Sequence, residues 1–306
     1  MTRIRLGVVG LGSIARKAHL PVLAAHPQVE IIGLASRSGA QVEPLAAQYR
    51  LDLTARTFDE VIAARPDAAY LLSATAAHVE QAVALLHGGI HLFMEKPLAN
   101  TIDEATRILD AAERSGRLLM VGFNRRFAPA YRKAKALFAE SGRPIELVVI
   151  QKHRNGDHSG WGLRQLVMDD AIHIIDLARF FGGGNLRRMA SSARVGRVAA
   201  QLQGDDALVQ LSQTYGAGGD MERLELHGGG LSVTVEQLER MTVREGGVER
   251  VVSLFGSWTS TLEKRGIAGE LEHFLGCVRD GAQPETNGVE ALATQGLAEE
   301  ILVAGG

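Results

Sequence analysis

Three groups of residues in this chain have types and spacings suited to chemistry. Lys96 follows Glu95 and precedes Pro97, whose fixed φ and missing N–H constrain the peptide presenting the ammonium. Glu95 is placed to neutralise or orient that charge. Asp169 and His173 are four residues apart, on one face if the segment is helical, with Asp176 one turn beyond. A carboxylate beside an imidazole fixes its tautomer and raises its basicity, which suits a proton acceptor. A solvated His–Asp pair on an amphipathic helix is the equal alternative at this level. The third group is the turn Gly10-Leu11-Gly12-Ser13-Ile14-Ala15, which has the spacing of a dinucleotide fingerprint with Ala in the third glycine slot.

Each group needs an element to hold it. The run Ile4 to Val9 reads as a buried parallel strand leading into the glycine turn, and Ile14, Ala18, Val22 and Ala25 recur at helical spacing after it. In such a strand–turn–helix unit Gly10 permits the tight turn and Gly12 lets the backbone approach a pyrophosphate. Ala15 is small enough for close packing, and the helix start favours the phosphates. A second strand, Val29 to Ala35, ends at Ser36-Arg37-Ser38, where an NAD site usually carries an acid for the ribose 2′-hydroxyl. A guanidinium and hydroxyls suit a 2′-phosphate instead, so NADP is expected, with NAD as the alternative.

Further strands are expected at Ala68–Leu72, Ile90–Met94 and Leu118–Val121, alternating with helices. That order specifies a doubly wound parallel sheet over residues 1–122. Its carboxyl ends carry Ser73-Ala74-Thr75, then Glu95-Lys96-Pro97, then Gly122-Phe123-Asn124-Arg125-Arg126, where ligands of such sheets lie. His19 and His78 are placed to border the cofactor. Beyond residue 122 the chain turns β-rich, at 145–151, 189–195, 207–214, 221–226, 231–235, 240–244 and 248–254. Helices are expected near 170–181 and in the last forty residues. The fold class is therefore α/β: an N-terminal Rossmann domain, 1–122, and a C-terminal α+β domain with a largely antiparallel sheet, 123–306. His153 and His158 flank the loop Arg154-Asn155-Gly156-Asp157, within reach of a substrate if that loop folds over it.

Composition narrows the function classes. The chain has 306 residues, 46% hydrophobic and 22% charged, with a net charge of −2. That is the make-up of a globular two-domain protein with no basic surface for nucleic acid or anionic membrane. No stretch is apolar enough to span a membrane, and the N-terminal run is interrupted by glycines and followed by charge, unlike a signal peptide. The one cysteine, Cys277, allows no internal disulfide and reads as a small core residue. The expected location is cytoplasmic. Zinc is not expected, since two ligands on one helix make no site.

Gly10 to Ala15, Glu95-Lys96-Pro97 and the Asp169…His173 pair, in this order, resemble the Gfo/Idh/MocA oxidoreductases over essentially the whole chain. Residues 122–129, Lys152-His153-Arg154, Asp169-Asp170 with His173, and Trp258 to Gly266 are similar to the MviM branch, named for virulence-factor oxidoreductases. The resemblance implies hydride transfer between nicotinamide and a sugar-like or polyol substrate. Lys96 would hydrogen-bond the reacting oxygen, His173 would exchange its proton, and Asp169 would tune His173. The cofactor would meet Gly10, Gly12, Ser13, Ile14, Ala15, Ser36, Arg37, Ser73, Thr75, His78, Glu95 and Lys96. Asn124, Arg125, Arg126, Lys152, Arg154 and Asp170 are the substrate candidates, and a homodimer or homotetramer is expected. The chain departs from the family pattern at Ala76, Ala171 and 161–165, of which the last two lie on the substrate side. Two other functions fit the same motifs: a redox-neutral nicotinamide-dependent sugar hydrolase or epimerase, and a non-enzymatic NADP-binding sensor.

Overall fold

The structure, a computed structural model, describes residues 3–156 and 160–303. Asp157 and His158 of the expected substrate loop lie outside the described residues. The chain divides into two units. One contains residues 1–122 with Ile267–Leu292; the other contains Phe123–Gly266 with the C-terminal residues from Ala293. The helix Ile267–Asp280, which sequence reading placed in the second domain, thus packs with the first.

In the first unit β1 (Ile4–Val9), β2 (Val29–Ala35), β3 (Ala68–Leu71), β4 (His91–Met94) and β5 (Leu119–Val121) form a parallel sheet in the order β2-β1-β3-β4-β5. A further parallel bridge, Gly33 to Ala55, continues the sheet beyond β2. Counting that bridge as a strand gives the order of the dinucleotide-binding fold, with its switch point between β1 and β3. Both faces of the strands are covered, which is why they read as apolar runs. Tyr70 and Phe93 stack at 4.3 Å between centroids, and Phe274 of the helix Ile267–Asp280 meets both rings edge-on. Thr57 and Thr101 cap the helices Phe58–Ala63 and Ile102–Ser115 by accepting from the N–H of Glu60 and Glu104.

The helix after the glycine turn departs from its expected pattern. It contains a π-turn, Ala15–His19, before the α-helical Leu20–Ala25. Pro21 has no N–H to close an α-helical bond at this point, and the wider turn re-aims the side chains. Ile14, expected on the apolar face, is 43% exposed, while His19 is buried.

The second unit holds one eight-stranded sheet. Its strands are β6 (Leu147–Asn155), β7 (Arg187–Arg194), β8 (Arg197–Gln203), β9 (Leu208–Thr214), β10 (Gly216–Gly228), β11 (Leu231–Glu236), β12 (Arg240–Glu245) and β13 (Val248–Val252). The order is β13-β12-β11-β10-β6-β9-β8-β7, antiparallel throughout except for the β6–β9 pair. The helices Pro129–Ser141 and Ile172–Gly182 cover one face, buried by alternate residues such as Val148, Ile150, Leu202, Val209 and Leu224.

Candidate active site

The carboxyl edge of the first sheet presents the glycine turn after β1 and Glu95-Lys96 after β4, with β3 between them. Gly10 has φ +93°, and a Cβ there would lie 2.3 Å from the Ser73 backbone nitrogen, so only glycine fits where β1 and β3 diverge. A Cβ on Gly12 would meet nothing within 4 Å. That open, exposed backbone is the room a pyrophosphate needs at a helix start. At the end of β2, Ser36 Oγ is buried and makes no hydrogen bond among the described residues, while Arg37 is exposed. These residues fit a dinucleotide: Gly12, Ser13 and Ile14 at the phosphates, Ser36 and Arg37 at the adenosine ribose.

Behind this edge, buried histidines set the loops. His19 Nε2 lies 2.8 Å from Glu95 Oε1, and the Lys96 N–H donates to Glu95 Oε2 at 3.2 Å. Burial alone would raise the Glu95 pKa, but the His19 hydrogen bond and charge, with Lys96, outweigh it and hold the carboxyl below its usual value. Glu95 is therefore an ionised neighbour of Lys96. The Lys96–Pro97 peptide is cis. His78 is 1% exposed and spans two loops, its Nδ1 facing Pro97 O at 3.0 Å and its Nε2 facing Ser73 O at 3.1 Å. Burial lowers its pKa despite those carbonyls. Its ring has no surface to offer a cofactor; it ties Ser73, and so the approach to Thr75, to the segment after Lys96.

The second unit holds a polar cluster at the ends of three neighbouring strands. Lys152, Gln213 and Glu222 extend the buried faces begun by Val148–Ile150, Val209–Leu211 and Leu224–Leu226. The Lys152 ammonium donates to the backbone oxygen of Asp170 at 3.0 Å and to its carboxylate. That carboxylate also accepts from Arg154 Nε at 3.3 Å, Gln213 Nε2 at 2.5 Å and the Tyr215 hydroxyl at 3.2 Å. Burial opposes ionisation of Asp170, but Lys152 and Arg154 drive its pKa far down. Burial and the nearby Arg125 lower Lys152 to about 7, against the pull of Asp170 and Glu222. Arg125 forms a two-pronged pair with Glu222, both contacts at 3.1 Å, and Tyr131 donates to the same carboxylate.

Asp169 and Asp170 lie in a second π-turn, Val167–Ala171, which runs directly into the helix Ile172–Gly182 bearing His173. The four-residue spacing therefore crosses a π-turn, a feature frequent at functional sites, rather than regular α-helical pitch. Asp169 and Asp170 line a cavity of about 340 Å³ with Arg154, Asn155, Trp161 and Asp220. His173 is half-buried at the head of its helix.

Residues 4–123 match the family model described as an oxidoreductase family with an NAD-binding Rossmann fold. Over 98% of both chains, this chain is 31% identical to YceM of Salmonella typhimurium, an oxidoreductase by name. The chain belongs to the Gfo/Idh/MocA oxidoreductase family. It is also 24% identical to scyllo-inositol 2-dehydrogenase (NAD(+)) of Bacillus subtilis, covering 94% of this chain and 90% of that one. The crystal structure of the dehydrogenase MviM from Clostridium difficile superposes with a TM-score of 0.90 at 27% identity, covering 98% and 99% of the two chains.

Several residues of this Gfo/Idh/MocA member sit differently from the sequence expectation. Asp176, one turn beyond His173, is 1% exposed and holds Arg126 by contacts of 2.7–3.0 Å, with Thr294 as a second partner, so it is neither solvated nor free to act with His173. Removing one member of such a buried pair costs about 3–5 kcal/mol. Arg125 and Arg126 are each 6% exposed and engaged with carboxylates, and Asn124 Nδ2 donates to Arg265 O at 2.7 Å. These three hold the second unit together at the turn Asn124–Phe127 rather than presenting open donors. His153 Nδ1 accepts from the Thr214 N–H at 3.2 Å. Sequence reasoning gave no role to Glu222, Gln213 or Tyr215. The available signal was the period-2 alternation, which puts Lys152 and Glu222 on inward positions of their strands.

Among the described residues no three His, Cys, Asp or Glu side chains are grouped to hold a metal ion, and no helix is long and apolar enough to cross a membrane. Cys277 Sγ lies 3.6 Å from His273 Nε2, and burial pushes the thiol pKa up.

Proposed function

We propose that this protein is an NADP-preferring dehydrogenase or reductase acting on a sugar-like or polyol substrate. The observation that carries the reading is the buried His19–Glu95 pair, which joins the helix of the glycine turn to the peptide presenting Lys96. Bound nicotinamide supplies the hydride donor or acceptor. Lys96 hydrogen-bonds the reacting oxygen, where its charge stabilises alkoxide character more in the transition state than in the ground state. His173 takes or returns the hydroxyl proton, and Asp169 sets its tautomer and basicity. Gly10, Gly12, Ser13, Ile14, Ser73, Thr75 and Glu95 hold the cofactor at its phosphates and nicotinamide ribose, while the fully buried Ala15 packs the helix against the sheet behind them. The 2′-phosphate falls to Ser36 and Arg37, since no acid stands there to repel it.

A polyol substrate is supported by the relative named as a scyllo-inositol 2-dehydrogenase. The uncovered face of the second sheet, where Met189 and Val251 are exposed, supports pairing into a homodimer or homotetramer. A cytoplasmic location accords with the single cysteine. The test is a screen of inositols, sugars and their keto and acidic forms for NADP-linked absorbance change. A substrate found with NADP supports the assignment; NAD-only turnover removes the cofactor preference.

A further inference from the structure

The segment Trp258–Gly266 is among the stretches that resemble the MviM branch, and the mechanism above gives it no task. Ser260 caps the short helix Thr261–Lys264 by accepting from the Glu263 N–H at 3.1 Å. The chain then docks against the turn Asn124–Phe127. Gly266 has φ +84°, and a Cβ there would lie 2.2 Å from Asn124 O and 2.6 Å from Ala128 N. The Asn124 side chain fastens the Arg265 carbonyl at 2.7 Å. The backbone on both sides of Arg265 is therefore specified, which fixes where its side chain starts.

That side chain enters a field already full of charge. Its electrostatic neighbours are Arg125, Glu222, Arg154 and Asp220. Each carboxylate among them is engaged: Glu222 by Arg125 and Tyr131, and Asp220 by Arg154 and the Asn155 N–H. Asp170, beside them, takes Lys152, Arg154, Gln213 and Tyr215. The half-buried Arg265 guanidinium makes no hydrogen bond or ion pair among the described residues. Burial and then Arg125 lower its pKa, the same two causes that act first on Lys152. The fork of a guanidinium that holds no carboxylate matches the oxygens of an incoming carboxylate or phosphate.

We propose that Arg265 binds a carboxylate or phosphate group of the substrate, so that the substrate is an acidic or phosphorylated polyol rather than a neutral one. This rests on the dehydrogenase reading only in taking the anion to be part of that enzyme's substrate. Arg154 and Asp220 are electrostatic neighbours of Arg265 and also line the cavity that Asp169 and Asp170 border, which puts the anion subsite on the side of the second unit that carries Asp169.

The test is calorimetric titration of the full chain at saturating NADP with D-gluconate, D-glucose 6-phosphate and neutral D-glucitol. One anion should bind about tenfold to a hundredfold more tightly than glucitol, and which one does so separates carboxylate from phosphate. Arg265→Gln should abolish that difference while leaving glucitol unchanged, with Arg265→Lys in between. Lys96→Met should keep the anion preference, because binding does not need turnover. A chain that oxidises or reduces no polyol yet shows the Arg265-dependent preference would lose the dehydrogenase reading and keep this one. Glucitol binding as well as both anions, no binding of either anion at millimolar concentration, or an Arg265→Gln variant that keeps the preference overturns the proposal.

Discussion

His19 and Glu95, 76 positions apart in the chain, meet at 2.8 Å behind the glycine turn. The contact makes the ionisation of Glu95 depend on a histidine from the opposite side of the switch point. Replacing His19 by Ala removes the largest of the forces that offset burial, so the Glu95 pKa rises. The carboxylate would then be lost at higher pH than in the wild type. The acid limb of kcat/KM should move upward, and kcat should fall by about tenfold or more. His19→Gln, which can still donate to Glu95, should retain more activity. An unshifted acid limb in His19→Ala would remove His19 as a positioning residue.

Arg37→Ala should weaken NADPH by about tenfold to a hundredfold and NADH by far less, since the guanidinium has only the 2′-phosphate to recognise. Fluorescence titration of both reduced cofactors decides this. Equal losses would contradict the NADP assignment.

Lys152 should leave its mark on stability. Its pKa is about 7 when folded against an ordinary 10.5, so the unfolded chain binds more protons across that interval. Stability contributed by this residue therefore rises as pH climbs from about 7 toward 10.5, on the order of a few kcal/mol at most. Urea unfolding of wild type and Lys152→Met at neutral and alkaline pH should show a steeper rise in the wild type. Parallel pH dependences would mean that Lys152 titrates normally.

The first unit was largely legible because parallel strands covered on both faces leave apolar runs that end in polar residues at one edge. Gly10, Gly12, Glu95 and Lys96 could be placed from that rule alone. The π-turn at Ala15–His19 could not, and it reversed the expected roles of Ile14 and His19. In the second unit β8 carries a weak strand signal, because Ala199, Ala200 and flanking polar residues interrupt Arg197–Gln203. The helix Pro129–Ser141 has proline at its first turn as its main local signal. The Arg125–Glu222 pair joins residues 97 apart, and no local spacing announces it. Lys152 is legible as a cation, and its burial follows only from counting alternate residues from Val148.

The central claim is that Lys96 stabilises the reacting oxygen while the nicotinamide binds elsewhere along the same sheet edge. Its most direct test is Lys96→Met assayed for NADP-linked turnover and, separately, for cofactor affinity. The account predicts turnover lost by at least about a thousandfold with cofactor affinity changed by no more than a few-fold. Near-normal turnover in that variant would contradict it.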